Sequence, residues 1–155
     1  MENFDKFDRA ILAKLNRNAR ASVNEIADEI ALSASAVSRR IQALEKSGVI
    51  QSYTTILNGE AIGLAMIIFV EVRLKNLSDK DIDAFENMVA KMSYITDCFL
   101  MSGNVDYLLR MRARDMAHFE QIHRNELSRL PGVERLTTRF AMRAVKVAGN
   151  QAAAN

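Results

Sequence analysis

At Gly48 the hydrophobic period of the chain changes. Upstream of it, apolar residues recur every three or four positions, as on the buried face of an α-helix. From Val49 onward they fall in short β-branched stretches broken by turn residues, as in strands. A chain with this switch divides into an all-helical part and a mixed part, and what it does has to be sought in each.

The first part reads as three helices. Phe7, Ile11, Leu12 and Leu15 share one face, with Lys6, Arg9, Lys14 and Arg17 between them. Ser22 stands three positions before Glu25, the capping-box pattern in which each side chain satisfies an orphan amide at the start of a helix. Val23, Ile26, Ala27 and Ile30 make that helix's apolar stripe. A break at Leu32-Ser33 follows, then a third helix over 34–46 with Val37, Ile41 and Leu44 inward. Gly48 is placed to end it in a left-handed conformation. Two short helices joined by a tight turn and locked by Ile26, Ile30, Leu32, Val37 and Ile41 satisfy the requirements of a helix-turn-helix.

The outer face of the third helix points to nucleic acid. At roughly 100° per residue, Ser35, Arg39, Gln42 and Lys46 cluster opposite the inward residues, with Ser38 beside them and Arg40 on the other flank. Arg and Gln make paired hydrogen bonds to guanine and adenine edges, and Ser holds a phosphate or a base. With Ser33 at the helix start, the candidate DNA-binding residues are Ser33, Ser35, Ser38, Arg39, Arg40, Gln42 and Lys46. Total charge does not carry this reading. The 155 residues sum to +2, and residues 1–60 hold eight basic against eight acidic residues. What matters is placement: Glu25, Asp28 and Glu29 stay on the second helix.

Beyond Gly48, residues 49–57 are rich in β-branched side chains and predict a strand. Asn58-Gly59 and Gly63 bracket a connector. A strand over 65–74, a helix starting after Ser78, strands over 95–101 and 106–113, a helix capped by Asp115 and a last strand over 133–147 complete the order β-α-β-β-α-β, that of a ferredoxin-like unit. The fold class is thus α+β, with a winged-type helix-turn-helix domain (1–50), a strand and linker (51–63), a ferredoxin-like domain for effector binding and dimerisation (64–148) and a flexible tail (149–155). In the sheet, Phe69, Val70, Val72, Phe99, Leu100, Leu108, Leu109, Phe140, Ala141 and Met142 exceed what two helices on one face cover. A second copy is the economical cover for the excess, and it would bring two reading helices to two half-sites.

In order and spacing, the segments Leu32-Ser33, Val37-x-x-Arg40-Ile41-x-x-Leu44-Glu45-x-x-Gly48-Val49-Ile50, Ser102-Gly103-x-x-Asp106-Tyr107-Leu108-Leu109 and Leu130-Pro131-Gly132-Val133 resemble the leucine-responsive/asparagine regulator (Lrp/AsnC) family of transcription factors. The likeness runs from Phe7 to Lys146. It implies operator DNA as partner, an amino-acid effector sensed by the C-terminal domain, and dimers that assemble into tetramers, octamers or larger rings. It also implies an effector site near the turn Gly103, Asn104, Val105 and Asp106, with help from the last strand, where Thr138 and Arg139 lie in the matching part. Read without the resemblance, Gly103-Asn104 is also a good hairpin turn whose geometry Asp106 fixes. Many relatives carry Pro near Ala34 and Ala36, which this chain lacks, so the start of its reading helix is expected to be less rigid.

Other chemistry finds no support. His118 and His123 point roughly 140° apart on a helix, so no metal site is expected. Cys98 sits among apolar strand residues, more suited to packing than to attack. Met66, Met88, Met92, Met101, Met111 and Met116 read as core filler. There is no phosphate-binding glycine loop and no nucleophile elbow, so neither enzymatic activity nor a cofactor is expected. The longest apolar run, 64–70, is far short of the ~20 residues that span a bilayer. With no signal peptide visible and a single cysteine, a reducing cytoplasm is expected. The competing reading is an amino-acid-binding sensor or adaptor whose helical part contacts protein instead of DNA.

Overall fold

The computed structural model describes residues 4–145. The chain forms two compact units that divide after Ile56.

The N-terminal unit holds α1 (Lys6–Arg17), α2 (Val23–Ile30) and α3 (Ala34–Lys46). Each starts on a side-chain cap. Asp5 and Ser22 form reciprocal capping boxes with Asp8 and Glu25, and Ser33 accepts from the Ala36 N–H. Ile11, Ile26, Ala27, Val37 and Leu44 form the core, and Leu12, Ile30, Leu32 and Ile41 pack on it. Two left-handed residues set the turns of this unit. Ala31, at φ 55°, joins α2 to α3, and Gly48, at φ 76°, ends α3. The Ile50 N–H then returns to the Leu44 carbonyl at 3.1 Å.

The strand expected over 49–57 does not form. Residues 51–58 carry no regular secondary structure, and Tyr53, Ile56 and Leu57 are exposed. A strand exists only where a neighbouring backbone accepts its hydrogen bonds, and no other described segment of the chain pairs with this one.

The C-terminal unit is an antiparallel four-stranded sheet, β1 (Met66–Leu74), β2 (Ile95–Leu100), β3 (Tyr107–Ala113) and β4 (Val133–Phe140), in spatial order β2-β3-β1-β4. Helices α4 (Asp79–Val89) and α5 (Met116–Asn125) are the crossovers. This is the ferredoxin-like order. Ile68, Val70, Val72, Leu74, Tyr107, Leu109 and Met111 alternate onto the helix side and are buried with Phe85, Phe119 and Ile122. The last strand stops at Phe140, short of the expected extent: Phe140 pairs with Ile68, and the Ala141 N–H makes a final bond to the Ile67 carbonyl. The expected end of that strand at Val147 and the expected flexible tail lie outside the described residues.

The connector is built around a close approach. Gly59 is buried, and a Cβ there would sit 2.8 Å from the Leu64 carbonyl and run into the Arg112 guanidinium. Arg112 donates to that same carbonyl at 3.1 Å. Glycine lets the turn close against the sheet.

Candidate nucleic-acid interface and effector cleft

In α3 the outer face is open. Ser35, Arg39, Gln42 and Lys46 are exposed and Ser38 is half-buried. Arg39, Gln42, Lys46 and Ser38 have no hydrogen-bond or ion-pair partner among the described residues, so their donors remain available to a ligand. The Ser35 hydroxyl lies 3.2 Å from that of Ser33, whose oxygen also caps the helix. Glu45, on the margin of the face, accepts from the Tyr53 hydroxyl at 2.9 Å. Two of the three acidic residues of α2 are turned to other work: Glu29 pairs with Lys14 and Arg17, and Glu25 closes its capping box. The local surface is therefore positive although the unit as a whole is near neutral.

Arg40 differs from its neighbours. Its guanidinium reaches α1, 2.7 Å from Asp8 and 2.8 Å from Asp5, and lies over the Phe7 ring at 5.5 Å. The Asp8 hydrogen bond, followed by that of Asp5, holds the guanidinium's pKa above its ordinary value. Asp5 is held low, first by the Asp8 N–H and then by Arg40. Asp5 and Asp8 were not among the residues singled out from sequence, although their spacing from Phe7 on a capped helix start was readable.

In the second unit, the turn between β2 and β3 contains Gly103 at φ 114°. Asp106 is stitched into the sheet. Its carboxylate accepts from the Leu74 N–H at 2.7 Å, its own N–H donates to Val72, and its carbonyl accepts from Met101. Asp106 thus frames the turn. Beside the turn, on the face away from the helices, is a cleft of about 230 Å³ lined by Glu71, Arg73, Asn104, Val105, Arg135, Thr137 and Arg139. Arg139 pairs with Glu71 at 2.6 Å, and that contact holds the Glu71 carboxyl below its usual range.

The structure brings Asn104, Val105 and Arg139 together but not Thr138. Thr138 pairs with Val70 on the helix side of the sheet and lines a separate hollow with Met116, Phe119 and His123. Adjacent strand residues face opposite ways, so Thr137, opposite Glu71, takes the place expected for Thr138 in the cleft. The alternation Glu71, Arg73 in β1 and Arg135, Thr137, Arg139 in β4 was the signal for the missed residues.

The face away from the helices is more polar than the sequence led us to expect. Phe69, Phe99 and Leu108 lie on it, but Arg110–Asp97 and Arg139–Glu71 ion pairs share it. Phe140 goes to the helix side, edge-on to Phe119 at 5.3 Å. Elsewhere, His118 accepts from the Arg114 N–H and His123 packs on Phe119. Burial, then Glu86, pushes the Cys98 thiol pKa up. Among the described residues no cluster of three or more His, Cys, Asp or Glu side chains is arranged for a metal, and no helix is long and apolar enough to cross a membrane.

Residues 67–150 match the family model described as the Lrp/AsnC ligand binding domain, and residues 4–51 match a winged helix-turn-helix DNA-binding model. The chain belongs to the Lrp/AsnC family. As an Lrp/AsnC protein it is a DNA-binding transcription regulator with a ligand-binding domain, not an enzyme. It is 37% identical to the proline dehydrogenase transcriptional activator of Rhodobacter capsulatus over 141 residues, covering 91% of this chain and 92% of that one. To the leucine-responsive regulatory protein of Escherichia coli K12 it is 34% identical over 145 residues, 94% and 88% of the two chains. Among solved structures, a transcriptional regulator of Neisseria meningitidis in complex with L-methionine superposes with a TM-score of 0.88 at 30% identity, covering 94% of each chain.

Proposed function

We propose that this Lrp/AsnC regulator reads operator DNA with Ser35, Ser38, Arg39, Gln42 and Lys46, as a dimer or a higher assembly such as a tetramer or octamer. The observation that carries this reading is the row of donors on the outer face of α3, of which Ser38, Arg39, Gln42 and Lys46 have no partner among the described residues, set on a helix that Ser33 caps and Arg40 ties to α1. A second copy covering Phe69, Phe99 and Leu108 would supply the second reading helix, since one such helix makes few contacts and binds weakly. An amino acid held at Gly103, Asn104, Val105, Thr137 and Arg139, framed by Asp106, would tune binding or assembly. The relative solved with L-methionine supports an amino acid as the effector class. The protein would work where its operator is, in the cytoplasm.

Gel-shift titration against the DNA upstream of the protein's own gene tests the first claim. Specific binding is expected, and Arg39→Ala should weaken it by ~1–3 kcal/mol if the guanidinium reads a base. Unchanged affinity in that variant would take Arg39 off the contact surface. No specific band at moderate salt would remove operator reading by this face.

A further inference from the structure

The cleft beside the β2–β3 turn is charged in a way that selects among amino acids. Arg73 and Arg135 are direct cross-strand partners in the β1–β4 register. Like charges placed opposite one another weaken a sheet pair, so the arrangement gains from an anion between them. Arg73 has Glu134 at 3.5 Å and Arg139 has Glu71 at 2.6 Å, while Arg135 has no counter-ion among the described residues. Three guanidiniums against two carboxylates leave one positive charge at the cleft.

The walls agree with the charge. Of the lining residues only Val105 is apolar, which gives a leucine or methionine side chain little to pack against. The backbone N–H groups of Asn104 and Val105, residues that line the same cleft as Arg73 and Arg135, have no hydrogen-bond partner among the described residues. Guanidiniums bind carboxylates through paired, charge-assisted hydrogen bonds. A cleft of about 230 Å³ is below the usual range for drug-sized ligands and suits a molecule of amino-acid size.

We infer that the effector of this protein is an acidic amino acid, of aspartate or glutamate size. One carboxylate sits between Arg135 and Arg73, the other meets the free amides of the turn, and the ammonium group lies toward Glu71. Such a ligand carries the single negative charge that the cleft lacks; a neutral zwitterion does not. The inference rests on the reading that the effector binds at this turn.

The test is calorimetric titration of the full-length protein with L-aspartate, L-glutamate, L-asparagine, L-glutamine, L-leucine and L-methionine at one ionic strength. The acids are expected to bind at least about tenfold tighter than their amides, the size of effect one lost charge-assisted contact produces. Arg135→Gln should erase that preference while the unliganded protein melts at the same temperature or higher, because a like-charge pair has been removed. Equal binding of acids and amides, or tighter binding of leucine or methionine, would overturn the acidic class and leave the effector site standing. Preference for acids that survives in Arg135→Gln would overturn the assignment to this cleft. No binding by any of them would remove the effector reading itself.

Discussion

Nη1 of Arg40 lies 2.7 Å from Oδ1 of Asp8, joining α3 to the first turn of α1 across 32 residues of sequence. Asp5 and the Phe7 ring complete the clasp. An arginine on the flank of a recognition helix can serve the phosphates or the fold, and here the two roles predict opposite results. If Arg40 positions α3, Asp8→Asn should weaken operator binding or leave it unchanged, and Arg40→Ala should lower affinity without changing its salt dependence. If Arg40 held a phosphate, Asp8→Asn would free it and strengthen binding, and Arg40→Ala would reduce the salt slope by about 1. Gel shifts of both variants at several salt concentrations decide the matter.

The turn between α2 and α3 carries a cost at Ala31. Its φ of 55° is left-handed, where a Cβ crowds the neighbouring backbone. Glycine adopts that conformation without penalty, though it also gives the unfolded chain more freedom. The first effect is the larger, so Ala31→Gly should stabilise the N-terminal unit by about 0.5–1 kcal/mol. Thermal melting followed by far-ultraviolet circular dichroism would show it as a raised midpoint; a lowered one would mean the crowding is relieved in another way.

Asp106 offers a separation of frame from ligand contact. Leu74 is buried and its N–H relies on the Asp106 carboxylate at 2.7 Å. Asp106→Ala leaves that donor without a partner and should destabilise the C-terminal unit by about 1–3 kcal/mol. Asp106→Asn retains an acceptor oxygen and should recover part of the loss. Amide hydrogen exchange at Leu74 is the direct measurement: protection should fall sharply in the alanine variant and partly return in the asparagine one. Full protection in both would show that the carboxylate does not hold this strand end.

How far the sequence disclosed this arrangement depended on whether a feature was local. The helices were readable because their caps, Ser22 with Glu25 and Ser33, lie within three residues of the amides they satisfy. The exposed outer face of α3 was readable because helical geometry alone fixes which side chains share it. Segment 49–57 misled because β-branched composition reports suitability for a strand, not the presence of a neighbouring backbone. Arg40's ion pairs were not readable for a related reason: Asp5 and Asp8 lie at the start of another helix. Thr138 was a matter of parity. Thr138 and Arg139 are adjacent in a strand, so both cannot face one cleft, and Leu136 and Phe140 on the helix side carry Thr138 with them. The arginine-lined cleft itself needed the β1–β4 register, which no local pattern states.

All three tyrosines hold their protons more tightly than free tyrosine, and this yields a pH prediction. Burial raises Tyr107 first, and its hydroxyl donates to Glu86 at 2.7 Å; burial likewise raises Tyr94, which donates to Glu126 at 2.8 Å. Tyr53, which is half exposed, is raised by its partial burial and by the Glu45 carboxylate. Since the folded pKa values lie above the ordinary 10.0, the stability these groups contribute is complete below pH 10 and is lost as pH rises through the folded values. Ionisation of Tyr94 and Tyr107 should therefore begin only above pH 10 and proceed together with loss of circular dichroism, as unfolding releases the phenols. Removing the acceptor by Glu86→Gln should let Tyr107 ionise earlier, at a pH where the dichroism is still native. Smooth titration of all three phenols near pH 10 in the folded protein would show that neither burial nor these carboxylates hold them.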